Sequence, residues 1–102
     1  MTKACYEEYA NHAMRFYVRN PALKLNSPGL KKADIDNWNA CNDVLRAFSA
    51  EDRAIIIGVY ESKCTINSAV DAISAQLKIS DGRVWQLISR ASNEFAKRRG
   101  LA

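Results

Sequence analysis

The sequence predicts an all-α fold, a small domain of about five helices, and three observations carry that expectation. Apolar residues recur at steps of three and four along most of the 102 residues. Serines followed three residues later by an acid precede successive apolar segments, a pattern that satisfies the free N–H groups of a helix start. The one run that could nucleate a strand, Ile55-Ile56-Ile57, has no strand partner elsewhere in the chain. Composition agrees: 48% apolar and 25% charged residues describe an ordinary globular chain. A chain of this length implies one domain, or one domain with an appendage, and leaves little volume for a deep substrate cavity. Binding at the surface is therefore expected over chemistry inside.

From about Ala4 to Arg19, Tyr6, Tyr9, Ala10, Ala13, Phe16 and Tyr17 form the apolar stripe of an amphipathic helix. It stops before Asn20-Pro21, because a residue preceding proline avoids the helical region. The connector PALKLNSPGLKKA, broken at Pro28-Gly29, makes this first helix an arm, so residues 1–33 read as an N-terminal helical arm and connector. A second helix runs from about Asp34 to Ala47, with Ile35, Trp38, Cys41, Leu45 and Phe48 on one stripe. Ser49 caps a third, AEDRAIIIGVYE, which is apolar nearly all round and is expected to be the most buried. Ser68 and Asp71 form the next cap, before the short helix AVDAISAQL. Lys78-Ile79 is a tight link, and Ser80 caps a last helix reaching Arg98 or Arg99.

Charge is distributed unevenly. Residues 1–33 carry six bases and two acids, residues 34–77 three bases and seven acids, and residues 78–102 six bases and two acids. Basic ends flank an acidic middle, and a basic C-terminal end steers anionic partners such as nucleic acid. Cys5, Cys41 and Cys64 lack metal-ligand spacing and read as buried or free thiols in a reducing compartment. The N-terminus has no apolar signal-peptide core and no segment is apolar enough to cross a membrane, so a cytoplasmic protein with no membrane partner is expected. No enzyme is expected, and neither a cofactor nor a metal. His12 is the sole histidine and has no nucleophile beside it, and no glycine-rich phosphate loop occurs.

Two helices joined by three or four residues, the second one basic, is the sequence form of a helix-turn-helix. With Val84 as zero and about 100° per residue, Leu87, Ile88, Ala91 and Phe95 fall within roughly 60° and form the core stripe. Gly82, Arg83, Gln86, Ser89, Arg90, Asn93 and Lys97 occupy the opposite arc, roughly 140° to 260° round. Beyond the glycine, each of these can hydrogen-bond a phosphate or a base edge. Arginine matches guanine bidentately and glutamine matches adenine. The arc has the character of a helix inserted into the major groove of double-stranded DNA.

The segment from Phe48 to Ala91, FSAEDRAIIIGVY followed by AISAQLKISDGRVWQLISRA, resembles the promoter-reading C-terminal region of bacterial sigma factors, region 4. Ile73, Leu77, Ile79 and Ser80 match that family's first helix and turn; Arg83, Val84, Gln86, Leu87, Arg90 and Ala91 match its recognition helix. Small phage and mobile-element regulators of the autolysin-regulator and late-gene activator types resemble the same region and carry a similar N-terminal helix. The resemblance implies that residues 34–102 form a sigma region 4-like helix-turn-helix domain. It further implies base contacts from Gly82, Arg83 and Gln86, and phosphate contacts from Ser80, Arg90, Lys97, Arg98 and Arg99.

Departures from the family's pattern are informative. Ser74 replaces a small alanine at the helix crossing. Lys78 replaces the turn glycine, which implies a left-handed Lys78 at about 1 kcal/mol or a slightly different turn. Asp81 repels nearby phosphate, so the DNA sequence read should differ from the family's usual one. Trp85 replaces an arginine and is expected to pack on the preceding helix. A full sigma factor needs a second promoter-melting region that these residues do not carry, so a transcriptional regulator is expected. RNA polymerase and a second copy, through the N-terminal helix, are further partners to weigh. The alternative is a non-enzymatic protein-interaction module that uses the aromatic N-terminal helix.

Overall fold

The computed structural model describes residues 3–20 and 29–101, with side chains of the first stretch from Tyr6 onward. The side chain of Cys5 and connector positions 21–28 lie outside the described residues. Five helices follow one another: α1 (Lys3–Arg19), α2 (Lys32–Arg46), α3 (Ala50–Glu61), α4 (Ile66–Leu77) and α5 (Asp81–Arg98). No strand occurs among the described residues. Each of the last three begins on a hydroxyl cap. Ser49 Oγ accepts from the Asp52 N–H at 3.2 Å, Thr65 Oγ1 from Ser68 at 3.2 Å, and Ser80 Oγ from Arg83 at 3.1 Å.

The fourth helix therefore starts earlier than the sequence suggests. Ser68 is not its cap but the third residue of its first turn, and Thr65 fills the cap position. A threonine and a serine three residues apart offer two competing caps, and the one that lets Ile66 join the helix wins. α2 also begins early, at Lys32, where Asp34 Oδ2 accepts from the Lys31 N–H at 3.3 Å. The far end of α2 is closed by a side chain from the next helix. Arg53 donates from Nε to the Leu45 carbonyl at 2.9 Å and from Nη2 to the Phe48 carbonyl at 3.1 Å, placing a cation at the negative end of α2.

Two packing expectations are corrected. The first helix does not stand off as an arm: Ala10, Ala13 and Met14 are buried in the same core as Cys41, Val44, Leu45, Ile56, Val59, Tyr60 and Phe95. Its aromatic stripe packs in part against α2 and α5, with Tyr9 still 37% exposed. Tyr17 stacks on Trp38 with ring centroids 5.0 Å apart and donates to Asn42 Oδ1 at 2.7 Å, while Tyr9 meets Phe95 at 6.1 Å. Nor is α3 the most buried helix. It buries Ile56, Val59 and Tyr60, whereas α5 buries Val84, Leu87, Ile88, Ala91, Ser92, Phe95 and Ala96 and touches α1, α2, α3 and α4. The isoleucine run gave α3 a uniformly apolar surface; position in the bundle decided how much of it was covered.

Polar groups inside this core are satisfied. Tyr60 is wholly buried, its phenol donates to Asn11 Oδ1 at 2.8 Å, and burial raises its pKa. Burial likewise pushes the Cys41 thiol up to about 12, so it stays protonated and acts as a small apolar residue. Helices α3 and α4 close tightly at Gly58, where a Cβ would stand 3.0 Å from Ile73 Cδ1.

Only Lys78, Ile79 and Ser80 separate α4 from α5. Lys78 is left-handed, φ 56° and ψ 43°, the conformation the missing turn glycine implied. The turn is held by the Lys78 and Ile79 N–H groups, which both reach the Ser74 carbonyl. A side chain in this conformation is strained where glycine is not. Lys78→Gly is expected to stabilise the fold by about 0.5 kcal/mol, strain relief being partly offset by a freer unfolded chain. Thermal unfolding should show a midpoint about 2–4 °C higher; a lower midpoint would contradict the turn geometry.

Candidate nucleic-acid interface

α5 is held by one face and presents the other. Val84, Leu87, Ile88, Ala91 and Phe95 are all buried, while Gly82, Arg83, Gln86, Arg90, Lys97 and Arg98 are exposed. At 100° per residue, the outward side chains pass round the helix in the order Trp85, Ser89, Gly82, Asn93, Gln86, Lys97, Arg90, Arg83. One flank is aromatic and neutral, the other basic. A shallow, open depression of about 430 Å³ follows this face from Gly82 and Trp85 to Lys97.

The residues singled out from sequence meet different fates. Gln86 is exposed and forms no hydrogen bond to any described residue. Lys97 is exposed beside Glu94 Oε1 at 3.6 Å, and Arg98 is exposed at the end of the helix. Arg83 pairs with Asp52 of α3 at 3.0 Å, and the Arg90 guanidinium lies 4.9 Å from the centre of the Phe48 ring. Ser80 is used as the cap. Two residues are drawn inward: Asn93 Oδ1 accepts from the Tyr6 phenol at 2.8 Å, and Arg99 Nε donates to Asn37 Oδ1 at 2.7 Å. Asn93 still borders the depression, but Arg99 ties α5 to α2.

Trp85 is 37% exposed and lines the depression. Its angular position, about 100° from Val84, puts it at the rim of the buried stripe. Gly82 also bears on the surface. A Cβ there would meet nothing nearer than Ser80 Oγ at 3.9 Å, and its backbone is helical, so the fold does not require glycine at this point. Glycine in a helix is less favourable than alanine by about 1 kcal/mol.

Sequence reading missed a polar cluster at the α4–α5 corner. Ser74, nearly fully buried, donates to the Asp81 carboxylate and also lies 3.0 Å from the Asp71 carbonyl. The Asp71 carboxyl is brought beside Asp81, and the shared proton, then the like charge, raises its pKa. In the sequence Asp71 reads as part of a cap and Asp81 as a phosphate-repelling residue, but their pairing is not legible there, since only the turn brings positions ten residues apart together. A second missed feature is an apolar groove of about 440 Å³ between α3 and α4, lined by Ile55, Ile73 and the exposed Leu77. Among the described residues no helix is long and apolar enough to cross a membrane.

Comparison with protein-family models, curated proteins and solved structures brings no match to this chain.

The Asp71 shift has a defined sign. Because folded Asp71 holds its proton more tightly than unfolded Asp71, its contribution favours the fold at low pH and is lost as pH rises through the raised value. Asp71→Asn is therefore expected to raise the thermal midpoint at pH 7, with the gain shrinking as pH falls toward about 4, the range of an unfolded aspartate. Melting curves between pH 3.5 and 7 check this; a gain that grows on acidification would contradict the carboxylate pairing.

Proposed function

We propose that the chain is a sequence-specific regulator of transcription that binds double-stranded DNA, with α4 and α5 acting as a helix-turn-helix and α5 lying in the major groove. One observation carries the reading: α5 is anchored by a continuous apolar stripe while its polar arc, from Gly82 to Lys97, faces solvent. That arc extends about 22 Å along the axis at 1.5 Å per residue, and a helix fits a groove about 12 Å wide. The three-residue link, the Ser80 cap and the basic balance of residues 78–102 support the same reading. So does Gly82, whose bare backbone permits a close approach of a ligand where the fold has no need of it.

RNA polymerase is the protein partner that the resemblance to sigma region 4 brings to this proposal, which takes the cytoplasm as the location. The role is one of binding, without catalysis. The rival reading, a protein-interaction module built on the aromatic first helix, finds less support. Tyr6 is buried, Tyr17 is stacked and hydrogen-bonded, and Asn37 donates to the Tyr9 phenol at 2.9 Å, so much of this surface is occupied within the chain, with Tyr9 the exposed member. The same holds for a dimer formed through it.

Duplex binding followed by fluorescence anisotropy across a salt series separates the residue roles. Lys97→Ala is expected to reduce the slope of log affinity against log salt by about 1, equally for all sequences. Gln86→Ala is expected to leave the slope intact and remove about 1–3 kcal/mol of discrimination at one base pair. Binding that ignores salt, or is unchanged by both substitutions, would contradict the proposal.

A further inference from the structure

We infer that the base-reading half of α5 selects adenine–thymine pairs, and that Asp52 sets this preference by holding Arg83 away from guanine. The inference rests on the duplex-binding reading above and adds to it the class of sequence recognised. In the major groove, guanine offers two acceptors that suit an arginine fork, adenine offers an acceptor and a donor that suit a glutamine amide, and thymine offers a methyl group to apolar surface. α5 carries a candidate for each: Arg83, Gln86 and Trp85.

The structure treats these three differently. Arg83 Nη2 lies 3.0 Å from Asp52 Oδ1. Asp52 is a fixed anion: its own N–H is held by Ser49 Oγ in the first turn of α3, and its carboxylate is favoured by the positive end of that helix. To reach a base, Arg83 has to leave this partner and strand a carboxylate facing incoming phosphates. Arg90, which lines the depression, lies over the Phe48 ring. Gln86 has no such engagement, and Trp85 presents an exposed indole on the preceding position. The free recognition capacity is thus a glutamine amide and an apolar edge, the pair that fits adenine and thymine. Asp52 is a positioning residue, acting through Arg83 and touching no base.

The restraint is graded, because an exposed ion pair shifts an equilibrium only several-fold. The test is selection of bound duplexes from a random pool by the full chain, its Gln86→Ala, Arg83→Ala and Asp52→Asn variants, and the double variant Asp52→Asn/Arg83→Ala. The unaltered chain is expected to enrich adenine–thymine pairs, with one position losing its preference in Gln86→Ala. Asp52→Asn, which keeps the side-chain shape and the Ser49 cap, is expected to raise guanine enrichment beside that position about fivefold, the scale of one exposed ion pair. The double variant should abolish the gain, and circular dichroism melts should show all the variants folded. A guanine in the unaltered chain's site that disappears in Arg83→Ala would overturn this inference alone, as would an Asp52→Asn profile identical to the starting one. Failure of the unaltered chain to enrich any duplex would overturn the duplex-binding proposal and this inference with it.

Discussion

The arrangement depends on the burial of one side of α5. Val84, Leu87, Ile88, Ala91 and Phe95 meet residues from every other helix, so a rotation of α5 about its axis would expose several large side chains at about 1.5–3 kcal/mol each. That constraint fixes where Gln86 and Lys97 point. The Ser80 cap sets where the helix begins, and the left-handed Lys78 sets how sharply the chain turns into it. Orientation, start and entry angle together aim a polar surface on which Gln86 stays exposed while Asn93 is bonded back to Tyr6.

Around this helix the other elements have supporting parts. Arg53 closes the end of α2, and Arg15 of α1 binds the α3–α4 loop through the Ser62 carbonyl at 3.1 Å and the Cys64 carbonyl at 2.7 Å. These arginines act as long-range clips between main-chain segments, each satisfying carbonyls that a loop or helix end leaves open. The positive charge of the chain is therefore divided: part of it is fixed inside the structure, and part, at Lys97 and Arg98, faces solvent. Net charge alone would overstate what an anionic partner meets.

Features governed by local periodicity were readable in the sequence. The helix count, the Ser49 and Ser80 caps, and the inward turn of Val84, Leu87, Ile88 and Phe95 all follow from spacing of three and four residues. What escaped was set by tertiary context. Neither the choice of Thr65 over Ser68 nor the docking of α1 has a local signature, because both depend on which apolar residues find a partner. Side-chain commitments were least visible of all. Asn93 on α5 and Arg99 at its end are as polar as Gln86, yet Tyr6 and Asn37, far away in sequence, take them up while Gln86 has no counterpart among the described residues.

The most direct measurement of the central claim is a two-dimensional NMR titration of the folded chain with a duplex obtained by selection. The account expects the largest amide and side-chain shifts at Gly82, Trp85, Gln86, Ser89 and Lys97, with little change along the Ile55–Leu77 groove between α3 and α4. Perturbations concentrated on that groove or on α1, with the outer arc of α5 unmoved, would contradict it.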